Sequence, residues 1–583
     1  MKLIPATHEL ISNMRTFFQT GNARFKYQNE EPLRAELFSS EQMERFGKTL
    51  AGSHTLSTGP AKEHLLRRLA DNENILHEVR RLLTESIKTK SQITPAGEWL
   101  IDNFYLIEEH IRSAKINFPK GYSEDLPQLF NAGVPGLTRI YDIVLQIISH
   151  SDGRIDIESL GAFIKAYQSV TALQMGELWA IPIMMRLALI ENLRRVSARI
   201  AIDRVDENLA GYWANKMIVT AEKTPKDLIL VIADMARSNP PLVSVFVSEL
   251  TRLLRGRGPD LSLSLNWMER QLLDVGLTSA ELINAEIQKQ SADQVSISNS
   301  IGSLRLLATM DWRNFVEAHS IIEQTLREDN VYGLMDFFTR DHYRHVVEQV
   351  AKNSIATENE VARIAIQLTQ ETNGGNTDER ITHVGYFLAG AGLYQTKKMA
   401  NMHMSFSHKI RHVFQKHILK VYTGFIVLVT LLISTGLVAM AYNQTKNVWL
   451  LVSTGLLALL CCSQLAVSVV NFFSTLLVKP VMLPKMNYAQ GIPAQYRTLV
   501  AVPVMLTNEN DIENLVEALE VRFLANSTNH LHFALLTDFT DAGLENMPGD
   551  ETLVHTAQQR IEGLNIKYGR ENNDLFFLFH RPR

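Results

Sequence analysis

VYTGFIVLVTLLISTGLVAMAYNQT (residues 421–445) and VWLLVSTGLLALLCCSQLAVSVVNFFSTLLV (448–478) are uncharged runs of 25 and 31 residues. A bilayer core of about 30 Å takes about 20 helical residues to cross, so each run is long enough to span. A buried helical hairpin in a soluble core is the competing account, but soluble helices rarely run this far without a charge. Asn443, Gln444, Lys446 and Asn447 make a short polar turn between the two. Both cysteines, Cys461 and Cys462, are adjacent within the second run. Neighbouring thiols make a poor disulfide and are too few for a structural zinc site, so they read as small apolar filler.

The surrounding charges agree with a membrane. Between Arg380 and Asn508 there is no Asp or Glu, while eleven basic residues fall there. Taking those eleven from the 58 Lys and Arg leaves 47 against 62 acidic residues in the remainder. Lys409, Arg411, Lys416 and Lys420 flank one side of the pair and Lys479, Lys485 and Arg497 the other, whereas the turn carries only Lys446. The positive-inside bias then places both flanks, and both ends of this chain, in the cytoplasm. SFSHKIRHVFQKHILK (405–420) interleaves apolar and basic residues and reads as an amphipathic approach, over 401–420, to anionic headgroups. Nucleic acid is the rival partner, but a basic stretch abutting a span more often serves the lipid surface. The first residues, MKLIPATHELISNMRTFF, hold no apolar stretch of signal-peptide length, so 1–400 is expected to stay cytoplasmic.

Residues 1–400 read as helix after helix. In 62–90, Leu65, Leu66, Leu69, Ile75, Leu76, Val79, Leu82 and Leu83 recur at spacings of three and four, and 96–116 reads as another helix. IISHSDGRIDIES around Asp152 and Asp156 resembles a calcium loop, but its first, third and twelfth positions are Ile148, His150 and Ser159, which favours a turn between helices. GYFLAGAG (385–392) lacks a preceding strand and a third glycine at the dinucleotide spacing, so close helix packing is the better account. MDFFTRDHYRHVVE (335–348) gathers acid, base and imidazole without a nucleophile beside a base, and reads as a salt-bridged surface or an interdomain contact.

After a linker over 479–497 the period changes. TLVAVPV (498–504) is a buried-strand run, Asn510 is placed to cap a helix with Glu513 at the capping-box position, and LHFALL (531–536) is a second strand. A helix over 550–562 leads to a third strand at 575–579. This is a βαβαβ half-fold, a type of sheet that binds nucleotides at the carboxyl ends of its strands. Asp538 and Asp541 follow the second strand, where a carboxylate can accept from a ribose hydroxyl or a base N–H; a helix cap or turn is the equal alternative. Three strands and two helices do not close a catalytic α/β domain, so 498–583 is expected to be incomplete and the chain to be truncated. With 583 residues, 46% hydrophobic and 21% charged, the chain is otherwise globular and long enough for several units.

LQMGELWAIPIMMRLALIENLRR (173–195), AGEWLIDNFYLIEEHIR (96–112), MDFFTRDHYRHVVE, LEVRFLANSTNHLHFALLTDFTDA (519–542) and LFHRPR (578–583) resemble the amino-terminal portion of the cyclic β-1,2-glucan synthases. The resemblance runs from about residue 50 to the end of the chain. It implies a multi-pass glucosyltransferase of the bacterial inner membrane, with a GT-A-like domain that takes UDP-glucose and extends a β-glucan acceptor. By that resemblance Pro503, Asp538 and Asp541 line the nucleotide-sugar site. A divalent metal, Mg or Mn, is implied with ligands outside this chain, as are the catalytic base and the carboxyl-terminal region. The fragment alone is then expected to be inactive. The competing function is a membrane-anchored helical adaptor or scaffold without catalytic activity.

Overall fold

The computed structural model describes residues 30–57, 64–88, 93–118, 121–130, 137–373, 381–403, 417–477, 483–569 and 574–582. The chain divides into two compact units, Met1–Thr325 and Leu326–Arg583.

The first unit is helical throughout its named elements. Helices α1 (Leu65–Lys88) and α2 (Arg139–His150) pack on α3, the 49-residue helix Met175–Lys223. A long helix α4 (Ser279–Thr309) lies against α3 as well. The apolar stripe read in 62–90 is the buried face of α1, with Asn72 among the leucines. From Glu177 to Ala201 most of α3 is buried, so charged residues lie inside and have to be paired. Glu191, fully buried, accepts from Arg68 at 2.7 and 2.9 Å, from Arg194 at 2.6 Å, from Arg195 at 2.9 Å and from Asn72 at 2.7 Å. Burial alone would raise its pKa, but the three guanidiniums hold the carboxyl below the usual carboxylate range. A second buried pair joins Arg139 of α2 to Glu177.

Two local readings change. The helix expected over 96–116 is two helices, Pro95–Asp102 and Phe104–Asn117. At the break the Asn103 side chain turns back on Trp99 O at 2.9 Å and accepts from Arg305 of α4 at 2.5 Å. Around Asp152 the chain makes a turn docked on α4. Asp152 adopts a left-handed conformation and its carboxylate accepts from Ser296 at 2.6 Å and from Arg34 at 3.3 Å. A side chain at Gly153 would collide with Ser300, and Asp156 caps the next helix by accepting from Ser159 N.

In the second unit, buried Asp329 gathers the backbone N–H groups of Val331, Tyr332 and Val384 at 2.7–2.9 Å. Gly385 lies so close to the Tyr343 hydroxyl that a Cβ would stand 2.5 Å from it, which makes the glycine a packing residue. Helix α5 (Phe337–Lys352) is capped by Asp336, and its first turn holds the linker. Lys485 N donates to Thr339 Oγ1, Asp336 N donates to Lys485 O, and Asn487 N donates to Leu334 O, at 2.8–2.9 Å. The MDFFTRDHYRHVVE cluster is therefore a contact for the segment that follows the apolar helices.

Those helices are α6 (Ile418–Gln444) and α7 (Val448–Leu477), both long and apolar enough to cross a membrane. They pack on each other through small residues, with Thr430 and Ser434 of one and Ala458, Cys462 and Ala466 of the other buried. Their remaining faces are exposed leucine, valine and phenylalanine, with Leu460 at 72% and Leu432 at 65%, unlike a hairpin inside a soluble core. Most of the basic approach, 404–416, and Lys479 of the linker lie outside the described residues.

Strands β1 (Thr498–Leu506), β2 (Leu531–Phe539) and β3 (Phe576–His580) form a parallel sheet in the order β1-β2-β3. Helices α8 (Glu509–Ala525) and α9 (Asp550–Tyr568) cover the same face, around Phe533, Leu535, Phe523, Ile561 and Phe576. The cap of α8 is Asn508 rather than Asn510. β1 runs on to Leu506, which leaves Asn508 extended two residues later, accepting from Asp511 N at 2.8 Å.

Candidate functional site

The carboxyl end of the sheet is formed by Leu506, Phe539 and His580, the last residues of the three strands. Side chains alternate along β2, so Phe533 and Leu535 face the helices while His532, Ala534, Leu536 and Asp538 face the other side. That side is open in part: Leu499 and Met505 of β1, Leu536 of β2 and Phe579 of β3 are exposed, while His532 and Ala534 are buried.

Asp538 is paired in register with Met505, one residue before the end of β2. Its side chain is 37% exposed. Oδ1 accepts from Phe539 N at 2.8 Å, and Oδ2 lies 3.8 Å from Arg581 Nη1. Asp541 is exposed in the loop after β2 and makes no hydrogen bond or ion pair among the described residues. The two acids are thus near in sequence but not joined. Pro503, expected at the end of β1, lies within it, paired with Leu536, and the strand continues three residues further. Among the described residues β1 bonds only to β2, so the missing N–H of a proline is tolerated on this edge strand. Pro503 stands on the same open face as Asp538, further back along the sheet.

The structure adds His580 and Arg581 to this end. Thr537 is buried and its hydroxyl lies 3.0 Å from His580 Nδ1, while Arg581 N donates to Thr537 O at 2.9 Å. The His580 ring meets Phe539 edge to face at 4.5 Å. These contacts fix the exit of β3 and bring an exposed guanidinium beside Asp538. The LFHRPR motif carried both residues, but only strand pairing says which carboxylate they accompany. The site offers one anion, one cation and an apolar floor.

The divalent metal that the resemblance implies does not fit these residues. Among the described residues no group of three His, Cys, Asp or Glu side chains could hold a metal ion, and the charged neighbour of Asp538 is a cation.

Over 558 residues the chain is 30% identical to the cyclic β-(1,2)-glucan synthase NdvB of Rhizobium meliloti strain 1021. The match covers 95% of this chain and 20% of that protein, so the chain spans about a fifth of the length of the curated relative it matches. No family model matches the sequence.

Proposed function

From its kinship, along nearly its whole length, with a cyclic β-(1,2)-glucan synthase, we propose that this chain is the membrane-anchored, donor-facing part of a glucosyltransferase that builds β-1,2-glucan from UDP-glucose. The observation that carries this reading is the extent of the match, which takes in the helical region, the apolar pair and the α/β segment alike. In this reading α6 and α7 cross the inner membrane and hold the sheet on the cytoplasmic side, where sugar nucleotides are made. Lysines and arginines on the flanks meet anionic headgroups. Asp538 accepts a hydrogen bond from the uracil, Pro503 and Leu536 floor the cleft, and Arg581 is placed to meet the donor's diphosphate. Asp541, exposed in the loop after β2, accepts from the ribose in this reading.

A Mg or Mn ion would stabilise the charge on departing UDP. Its ligands, the base that deprotonates the acceptor hydroxyl and the grip on the growing glucan would come from the rest of the enzyme. This chain alone is therefore expected to bind the donor without turning it over.

Photoaffinity labelling with 5-azido-UDP-glucose tests this on membranes containing the chain. The expected result is a labelled peptide within 498–582, competed by UDP and not by ADP, with no UDP released above a membrane blank. Labelling elsewhere, or equal competition by ADP, would remove the donor site and leave an anchored helical adaptor. Release of UDP above the blank would show that the chain holds catalytic groups of its own.

A further inference from the structure

Arg186 lies on α3, against which the helix Phe104–Asn117 packs. Buried guanidiniums elsewhere in this unit sit on carboxylates, Arg194 on Glu191 and Arg139 on Glu177. Arg186 has no such partner among the described residues, and burial lowers its pKa with no acid to raise it. Its Nε is buried without a hydrogen-bond partner. Its Nη1 donates to Ser113 Oγ at 3.3 Å, and the same oxygen accepts from Asn117 Nδ2 at 3.2 Å. With both lone pairs of Ser113 Oγ taken, its O–H is left to donate. Three residues before Ser113, His110 is 4% exposed and its Nδ1 is likewise unpartnered. Burial, and then the Arg186 charge, hold His110 below the usual imidazole range against a weaker pull from exposed Glu109, so the ring is neutral and carries one N–H. Arg186 shares a stripe of α3 with Trp179 and Pro182, and all three are partly exposed, so the cluster reaches solvent.

We propose that Arg186, Ser113 and His110 form a binding site for a small oxyanion, the phosphate or carboxylate group of a metabolite. The site belongs to the helical unit and does not rest on the glucosyltransferase reading. Its chemistry follows from what the three side chains offer. They bring an uncompensated positive charge, an unspent hydroxyl proton and an imidazole N–H, which are donors without an acid among them. A guanidinium taken out of water needs a counter-charge, and its planar fork matches the two-oxygen edge of a carboxylate or phosphate. An oxyanion supplies acceptor oxygens to Arg186 Nε and to the Ser113 hydroxyl while it cancels the charge. A cation is repelled by Arg186, and a neutral sugar would leave the guanidinium unpaired.

Equilibrium dialysis of the full chain in detergent tests this, with inorganic phosphate and acetate each supplied as the radiolabelled ion and chloride holding the ionic strength constant. The expected result is saturable binding of at least one of the two, and the tighter ion tells whether the natural ligand presents a phosphate or a carboxylate. Arg186→Met should weaken that binding about 10- to 150-fold, the loss of a charge-assisted hydrogen bond. Ser113→Ala, which removes a neutral donor, should weaken it about 2- to 12-fold. Absence of saturable binding of either ion to the unmodified chain overturns the proposal. Binding that is unchanged in Arg186→Met overturns it too, because the ion then sits on other cations, such as Arg581 at the end of the sheet. Ser113→Ala keeps the test decisive if Arg186→Met does not fold, since unweakened binding in that smaller change has the same consequence.

Discussion

The carboxylate of Asp538 has one oxygen committed to its own chain, accepting from Phe539 N at 2.8 Å, and another that meets only the exposed Arg581 at 3.8 Å. Asp538→Asn separates those duties. The amide oxygen can still accept from Phe539 N, and an ion pair this exposed contributes little, so the melting temperature should hardly move. If the carboxylate binds uracil, the lost charge-assisted hydrogen bond costs about 1.5 to 3 kcal/mol, or roughly 10- to 150-fold in UDP-glucose affinity. The measurement is UDP affinity and thermal stability on one mutant of the longer enzyme. A lowered melting point with unchanged affinity would make Asp538 a residue of the turn. The acid at a strand end was legible from the alternation of 531–536 followed by a polar run. Its neighbour was not, because Arg581 reaches it only through the pairing of β2 with β3.

At the scale of the element, α3 is the helix whose interior depends most on charge. Glu191 and Glu30 together pair with Arg68, Arg194 and Arg195, with Glu191 and Arg194 fully buried, and removing one partner of such a set leaves buried charge uncompensated, at about 3 to 5 kcal/mol. Glu191→Gln should therefore lower the melting temperature of the helical unit markedly at neutral pH. The folded-state pKa of Glu191 lies below its unfolded value, so its contribution is present above the unfolded pKa of about 4.3 and is lost as pH falls towards the folded one. The gap between wild type and Glu191→Gln, followed by circular dichroism at 222 nm in detergent, should be constant from pH 8 to about 5 and narrow below about pH 4. A gap that narrows towards alkaline pH would mean the carboxyl is protonated in the folded state. The sheet shows the same dependence on neighbours. Parallel strands are ordinarily covered on both faces, yet α8 and α9 both lie on one, leaving Leu499, Met505, Leu536 and Phe579 bare.

For the whole molecule, the basic flanks and the single lysine of the turn predict that both flanks of the apolar pair face the cytoplasm. Reporter fusions after residues 400 and 490 should both read cytoplasmic. A periplasmic signal from either would put the sheet, or the long helical region, on the wrong side for a cytosolic sugar nucleotide. The hydrogen bonds of residues 485–487 to Leu334, Asp336 and Thr339 bear on the same question, because they tie the segment after α7 to helices that precede α6. Within the second unit the segment after α7 is thus held to the start of α5.

By itself the sequence determined the features that repeat over short distances. These are the two spanning lengths, the 3.6-residue stripes, the change to alternation after 497 and the order β-α-β-α-β. Each depends on hydropathy at a local period, which no distant contact can alter. Tertiary structure alone decided which polar residues of those stripes lie inside. Asn72, a polar residue on the buried face of α1, lies inside because it donates to Glu191, 119 residues away. Thr339 reads as part of a polar helix face until Lys485, 146 residues on, donates to it. Pro503, which the resemblance puts at the end of β1, is an interior residue of that strand because β1 has no neighbour on its other edge among the described residues. In each case the deciding partner is brought by chain folding from a segment that no local window contains.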